Sequence, residues 1–241
     1  MTSLTQHPVP QITFPGQAAA PPGPVDLLPM YLIHHAFRRD LDDFVAAASR
    51  TPATDRTAWA ALAKRWHLFA GMLHTHHTGE DEILWPLLET RVRAAGDHDG
   101  LATLDAMEAE HGEIDPLLAG CREGFARLAE TADEDALAAL QVRLTATRER
   151  LAAHLGHEES DAMALVQRHF TDAEWHDLDK QFAKHYPAEL ARDGLPWVLA
   201  GVPEEAMPRV RGFLGAMPML LWRLLLRRSF ARRSHVAFRY V

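Results

Sequence analysis

The chain has 241 residues, 47% of them hydrophobic, so it has enough apolar material for a substantial globular core. Its formal net charge is −8 and its pI is near 6.0, and it therefore lacks the positive field that nucleic-acid binding usually requires. A single cysteine, Cys121, excludes an intramolecular disulfide framework and favours a reducing compartment, for which the cytoplasm is the default.

The N-terminal stretch is rich in proline. Residues 1–25 contain six prolines and neither Lys nor Arg, a composition that does not fit a signal peptide. We expect this stretch to form a flexible tail. A membrane-spanning helix is not expected, because the longest apolar stretch, residues 213–226, is too short and contains Arg223 and Pro218.

The periodicity of apolar residues predicts four long helices. They cover about residues 29–48, a stretch to about 95 that Thr54 or Asp55 can cap, residues 99–129, and a stretch from the acidic residues 133–135 to about 169. Almost no alternating pattern argues for strands. Four long helices with short connections favour an all-α fold, an antiparallel up-and-down four-helix bundle.

A helical C-terminal extension is expected after the bundle. Thr171 and Glu174 form a capping-box pattern that opens a fifth helix to about residue 185. Residues 209–241 carry eight arginines and no acidic residue among several leucines, which is typical either of a helix on a membrane or partner surface or of a tail packed on the bundle. The predicted organisation is a tail over 1–25, a bundle over 26–170 and an extension over 171–241.

Six polar side chains interrupt the apolar faces of the four helices, since residues three, four and seven positions apart share a helix face. On the first helix, His34 shares its face with Phe37 and Leu41. The full set is His34 on the first helix, His76 and Glu80 on the second, His111 on the third, and His154 and Glu158 on the fourth.

Burying this set is costly unless a cation neutralises it, because an unpaired ionised carboxylate in a dry core costs several kcal/mol. For any single histidine an ordinary hydrogen-bonded core residue is the commoner interpretation, so the inference rests on the whole set. The order is a lone His and then His-x3-Glu, twice, with 42 residues from His34 to His76 and 43 from His111 to His154. Mixed imidazole and carboxylate ligands suit iron, with manganese or zinc as rivals.

Over residues 27–170 the sequence resembles the hemerythrin-like family, also called the HHE cation-binding domain. The likeness lies in the stretches LIHHAFRRDL, HTHHTGEDEILWPLL, MEAEHGEIDPLL and LAAHLGHEESDA. The resemblance implies two non-haem iron ions. It also implies that His34, His76, His111 and His154 are terminal ligands and that Glu80 and Glu158 bridge the irons.

The sequence departs from the oxygen-carrying members of that family at their fifth histidine, one turn before or after the ligand on the third helix. Met107 and Asp115 stand there. Fewer imidazoles, or Asp115 as an added oxygen ligand, would give a more open site and favour redox chemistry over reversible carriage. We therefore expect an oxidoreductase that reacts with dioxygen, peroxide or nitric oxide, with a small organic substrate as a further candidate partner.

Two alternatives to an enzyme stay open. One is a non-catalytic protein that binds or senses oxygen or iron, and the other is a metal-free bundle used for protein contacts. Four polar residues beside the ligands either support them or lie at the surface: His77, Asp81, His157 and Asp161. Three glycines beside the ligand turns would admit a small molecule or allow close helix approach: Gly79, Gly112 and Gly156.

Overall fold

A computed structural model of the chain describes residues 8–241, except the side chains at positions 185, 188, 189 and 191. Four long helical rods form the bundle, and no strand occurs in the described part of the chain, which confirms the all-α prediction. The rods are α1 (Leu28–Arg50), α2 (Arg56–Gly79) continuing into α3 (Trp85–Ala94), α4 (His98–Glu130), and α5 (Glu134–His157) continuing into α6 (Met163–His169).

Aspartates start three of the rods. The carboxylates of Asp55, Asp97 and Asp133 each accept a hydrogen bond from the backbone N–H three residues later, which satisfies a free donor of the first turn. Between α3 and α4 the chain turns at Gly96, whose φ of 69° lies in the left-handed region that glycine adopts without strain. Short connections of this kind hold neighbouring helices antiparallel.

Two rods contain a π-helical turn at the same position of the His-x3-Glu pattern. Segment π1 (Glu80–Leu84) joins α2 to α3, and π2 (Glu158–Ala162) joins α5 to α6. Each begins at the glutamate of a His-x3-Glu pair. A π turn adds one residue to the helical repeat and redirects the side chains around it, and such turns are frequent at functional sites.

The apolar core has two parts. One cluster includes Phe44, Trp66 and Phe125 from α1, α2 and α4. The other includes Tyr31 and Leu165 with side chains of α3 and of the N-terminal stretch. The buried histidines and glutamates belong to neither cluster and lie on the same rods, so packed apolar side chains hold those rods in place around them.

The N-terminal stretch differs from the predicted flexible tail over residues 8–25; residues 1–7 lie outside the described part. The Gln11 side chain donates to the Val25 carbonyl at 2.7 Å, and Phe14 is buried in the second cluster. The Ala18 N–H donates to the Glu159 carboxylate at 2.9 Å. Proline removes backbone donors but leaves carbonyls and apolar rings available, so this composition does not prevent packing.

The C-terminal extension wraps one side of the bundle with α7 (Asp172–His185), α8 (Ala188–Leu199), α9 (Met207–Leu214), α10 (Ala216–Leu221), π3 (Trp222–Leu226) and α11 (Arg227–Ala237). The Thr171–Glu174 capping box opens α7. Buried Asp40 of α1 accepts hydrogen bonds from Arg65 at 2.7 and 2.9 Å and from the Trp197 indole at 2.8 Å. This network ties α8 to α1 and α2. None of the helices described here is long and apolar enough to cross a bilayer.

Candidate metal centre

The structure brings all six predicted ligands into the interior of the bundle. Each is at most 5% exposed. Together with His77, their ligand atoms form two groups, each with every atom within 4.8 Å of the others. The first group holds His34, His76, Glu80 and Glu158, and the second holds His77, His111 and His154.

In the first group the ring nitrogens face each other and the carboxylates. The Nε2 atom of His34 lies 3.2 Å from Nε2 of His76 and 3.2 Å from Oε2 of Glu158. The Nε2 atom of His76 lies 3.2 Å from Oε1 of Glu80. Two imidazoles and two carboxylates therefore converge on one point, and a cation there would receive all four as ligands.

The second group adds a histidine that the sequence placed beside the site. His77 is 4% exposed, and its ring stacks on that of His111 with the centroids 3.9 Å apart. The Glu80 and Glu158 carboxylates also reach this group, at 3.7 Å from His111 Nε2 and 3.9 Å from His154 Nε2. Each carboxylate thus lies between the two groups, as a bridging ligand must.

Neither Met107 nor Asp115 of α4, the two positions at which a fifth ligand was considered, supplies a ligand. Asp115 is exposed on the outer side of α4, and Met107 packs in the apolar core. The idea of Asp115 as an added oxygen ligand is therefore wrong. A fifth imidazole is present all the same, since His77 of α2 faces the centre.

Burial and neighbouring charges set the protonation of these groups. Burial lowers the pKa of His76 to about 3 and that of His77 well below its usual range, so both rings are neutral, the form that binds metal. Burial opposes protonation of His34 too, but the Glu158 and Glu159 carboxylates raise its pKa to about 9. Burial and the Glu158 carboxylate raise the pKa of Glu80.

Buried polar atoms without hydrogen bonds provide the test of fit for a metal. Among the described residues, both carboxylate oxygens of Glu80 and of Glu158, both ring nitrogens of His77, and Nε2 of His111 and of His154 have no hydrogen-bond partner. Each such atom carries a desolvation cost of about 1–3 kcal/mol or more. Each of these residues offers a lone pair to one of the two groups or to both, so the residues present fit a pair of cations.

Acidic residues hold the outer nitrogen of two histidines in a crossed pattern. The Nδ1 atom of His34 pairs with Oε1 of Glu159 at 3.0 Å, and the Nδ1 atom of His111 pairs with Oδ1 of Asp81 at 2.8 Å. Glu159 follows Glu158 in the second half of the repeat but contacts His34 of the first half. Asp81 follows Glu80 in the first half but contacts His111 of the second half. The Arg38 guanidinium holds Glu159 in turn, at 2.6 and 3.0 Å. A carboxylate on Nδ1 leaves Nε2 for metal and raises its basicity.

Glu110 holds the outer nitrogen of the α5 ligand, His154, in the same way. Its carboxylate pairs with Nδ1 of His154 at 2.8 Å and with Nδ1 of His157 at 3.0 Å, while exposed Asp161 lies 3.4 Å from the other nitrogen of His157. Of the four neighbours singled out in the sequence, Asp81 therefore contacts a ligand directly. His157 contacts Glu110, which in turn contacts the ligand His154, and Asp161 contacts His157. His77 is part of the second ligand group.

The three glycines beside the site have different surroundings. A Cβ on Gly79 would lie 2.8 Å from the ring of Phe182, so glycine there allows α7 to approach the ligand turn. A Cβ on Gly112 or Gly156 would meet no atom within 4 Å. Close helix approach therefore explains Gly79 alone.

The sequence pattern did not identify three residues of the centre in their observed roles: His77 was predicted beside the ligands rather than among them, and the pattern gave no prediction for Glu110 or Glu159. A signal for Glu159 exists, because an acidic residue follows the glutamate in both His-x3-Glu pairs, as Glu80-Asp81 and Glu158-Glu159. Aligning the two halves of the repeat would have found it. Glu110 has no such counterpart.

The protein-family model of the hemerythrin HHE cation binding domain matches residues 30–166 of the sequence, a span that contains both groups. The chain is also similar to two Arabidopsis thaliana proteins, zinc finger protein BRUTUS-like At1g18910 (26% identical over 187 residues) and zinc finger protein BRUTUS-like At1g74770 (24% over 218 residues). These alignments cover 76% and 86% of this chain but only 15% and 16% of the relatives. No solved structure matches the chain significantly.

Proposed function

Because the chain belongs to the hemerythrin HHE cation-binding family, we propose that its bundle holds two non-haem iron ions and uses them as an oxidoreductase that reacts with dioxygen, peroxide or nitric oxide. The observation that supports the metal pair is the two adjacent groups of His and Glu ligands, in which the carboxylate oxygens of Glu80 and Glu158 and Nε2 of His111 and of His154 have no hydrogen-bond partner among the described residues. Two groups sharing two carboxylates match two ions rather than one.

Iron is proposed over zinc because of the number and kind of ligands. Counting the shared carboxylates in both groups, the first offers four donors and the second five. Zinc sites are most often four-coordinate and tetrahedral, whereas mixed imidazole and carboxylate sets of higher number suit iron, with manganese as the nearer rival.

When bound and reduced, the iron pair would supply two electrons to the oxidant. The chain's own residues fix the site for it. Glu159 and Asp81 hold the rings of His34 and His111 so that Nε2 of each points inward. Arg38 compensates the charge of Glu159, and the apolar clusters on the same rods exclude water.

A second candidate is a non-catalytic protein that binds oxygen reversibly, or binds or senses iron. His77 favours reversible binding of oxygen: as a fifth imidazole it closes the coordination shell that the sequence suggested was open. Its ring makes no hydrogen bond with the described residues and is held only by packing, notably by stacking on His111.

Iron content tests the ligand assignment. His76→Ala and Glu80→Ala are expected to lose iron and the ultraviolet absorption that bound ferric iron would give the wild-type chain. The matched control is His74→Ala, since His74 is exposed on the same helix two residues from His76. Elemental analysis and spectra of the purified full chain measure both. Full iron content in either ligand variant would contradict the assignment.

Reversibility separates the two candidates. The iron-loaded chain is reduced, freed of reductant, exposed to dioxygen and then flushed with argon. An oxidoreductase is expected to remain diferric and to consume further oxygen only with added reductant. A carrier returns to the reduced spectrum on flushing, and that outcome would reject turnover in favour of the second candidate.

A further inference from the structure

An apolar cavity of about 390 Å³ lies between the bundle and the C-terminal extension. Met30 and Ile33 of α1 and Met72 of α2 form its inner wall, and Leu178 of α7 and Leu190 of α8 lie opposite. This volume is in the range of small-molecule sites, about 300–1,000 Å³. The outer wall falls outside residues 30–166, so the domain shared with the family does not form this cavity by itself.

The cavity reaches the candidate metal centre through one residue. His76 is part of its lining, and Nε2 of the same ring lies 3.2 Å from both His34 and Glu80. The imidazole therefore separates the cavity from the first ligand group by the thickness of one ring. A molecule in the cavity would rest against a predicted metal ligand.

The charge around the cavity restricts what it can hold. No Lys or Arg occurs among its described lining residues, while Asp179 lines it and Glu80 lies just behind His76. Burial and the Asp26 carboxylate raise the pKa of Asp179 to about 7. An anionic molecule would find no counter-charge there. The Tyr186 hydroxyl and the Asp179 carboxyl are the groups suited to hydrogen bonding, in an otherwise largely apolar wall.

We propose that this cavity binds an uncharged, mainly apolar organic molecule with one hydroxyl-type polar group. Its place as the organic reactant of the centre rests on the proposed function, whereas its binding rests on the cavity alone. A passage used only by small gases is the competing interpretation, and binding separates the two, because a gas passage needs no affinity for a larger molecule.

The test uses the neutral fluorescent probe N-phenyl-1-naphthylamine on the full chain, with and without iron. One molecule is expected to bind per chain. Gly194→Phe fills the space next to Met72, where a Cβ would already lie 3.5 Å from the sulfur, and Ile33→Trp fills the opposite wall. Each is expected to weaken binding at least about tenfold because the new ring takes up ligand space. Ala126→Trp, at an exposed position of α4, serves as the control.

Charge is tested by competition. The neutral 1-octanol is expected to displace the probe, and octanoate, of the same chain length, is expected to displace it at least about tenfold less well. Unchanged probe binding in both filled variants would overturn the site, and equal displacement by octanoate would overturn the uncharged class. Iron content is measured separately, so a chain that binds the probe but no iron refutes the proposed function and leaves the cavity intact.

A second surface carries its own inference. Five apolar side chains on consecutive turns of α10 and π3 form what we call the exposed leucine face, and each is at least 45% exposed: Met217, Leu220, Leu221, Leu224 and Leu225. Their three- and four-residue spacing places them along one side of a helical rod. Apolar patches of this kind on a soluble surface mark interaction sites.

Charge identifies the partner. Arg223, Arg227 and Arg228 adjoin the exposed leucine face, and no acidic residue occurs after Glu205. Leucines beside arginines on one rod are typical of a helix lying in the headgroup region of a bilayer, where an anionic surface attracts the arginines. We infer that this face binds the surface of an anionic lipid membrane.

Flotation with vesicles tests this inference on the full chain. Vesicles of phosphatidylcholine with phosphatidylglycerol are expected to carry the chain, and pure phosphatidylcholine vesicles to carry at least about tenfold less. Leu224→Glu should abolish the binding, whereas Val142→Glu, which alters an apolar side chain 71% exposed on α5, should not. Equal binding to both vesicles, or dimerisation that Leu224→Glu abolishes without lipid binding, would overturn it.

Discussion

Replacing Asp40 by alanine should cost a large part of the stability of the fold. Asp40 is fully buried and accepts hydrogen bonds from Arg65 and from the Trp197 indole. Removing it leaves Arg65, only 8% exposed, without the carboxylate that pairs with it. Breaking a buried pair from one side costs about 3–5 kcal/mol, against a total stability of about 5–15 kcal/mol for a typical domain.

Urea denaturation of the full chain measures this effect. The control is Asp42→Ala, which removes a carboxylate that is 69% exposed and 3.9 Å from Arg148, and it should change stability by less than about 0.5 kcal/mol. Because Trp197 ties α8 to the bundle through Asp40, amide exchange in α8 should also accelerate. Equal stabilities for the two variants would refute the reasoning.

The pH dependence of the Asp40→Ala effect has a definite sign. Burial alone would raise the pKa of Asp40, but the Arg39 and Arg65 guanidinium groups hold it below the usual 3.8. A lowered carboxyl pKa contributes stability that is present above the unfolded value and lost as pH falls through the folded value. The difference between wild type and variant should therefore shrink as pH falls below about 4; above that range it also varies near pH 6, because the Asp40 carboxylate helps to raise the pKa of Asp43. A difference that grows as pH falls below 4 would contradict this.

Two further predictions concern the surroundings of the centre, and a third concerns Asp43 of α1. Glu159→Gln should weaken iron retention about 10- to 100-fold in chelator competition, while Glu108→Gln, at an exposed position of α4, should leave it unchanged. Gly79→Ala places a Cβ 2.8 Å from an aromatic ring of α7 and should destabilise the chain by about 1–3 kcal/mol in urea, whereas Gly112→Ala, with open space around it, should not. Burial raises the pKa of Asp43 to about 6, so stability is lost as pH rises through that value, and Asp43→Asn should raise Tm at pH 7.5 but not near pH 4. Equal effects of variant and control, or an equal Tm gain at both pH values, would count against the respective argument.

The helical periodicity of apolar residues allowed the fold class and the six inward polar side chains to be predicted. His34, Glu80 and Glu158 interrupt apolar stripes, and the structure buries all three completely. A stripe of period 3.6 identifies the inward face of a rod without reference to its partners, so the fold class and the convergence of six side chains could be predicted. That these side chains bind iron stays a prediction.

Residues on the flank of a stripe could not be assigned in this way. His77 lies about 100° around the helix from His76, and only the approach of α4, whose His111 stacks on it, turns that flank inward. The π turn at Glu80 adds a residue to the repeat just where Asp81 reaches His111. A periodic pattern contains no information about such a turn or about which neighbouring rod faces a flank.

By itself, the sequence determined that four amphipathic rods would bury a repeated His and His-x3-Glu pattern, because that follows from the geometry of a single helix. Only the tertiary structure decided that residues 8–25 pack on the bundle, that Glu159 supports His34 from 125 positions away, and that the extension encloses a cavity beside His76. These features depend on contacts between segments distant in sequence. Their register is fixed by the packing of whole rods rather than by local periodicity.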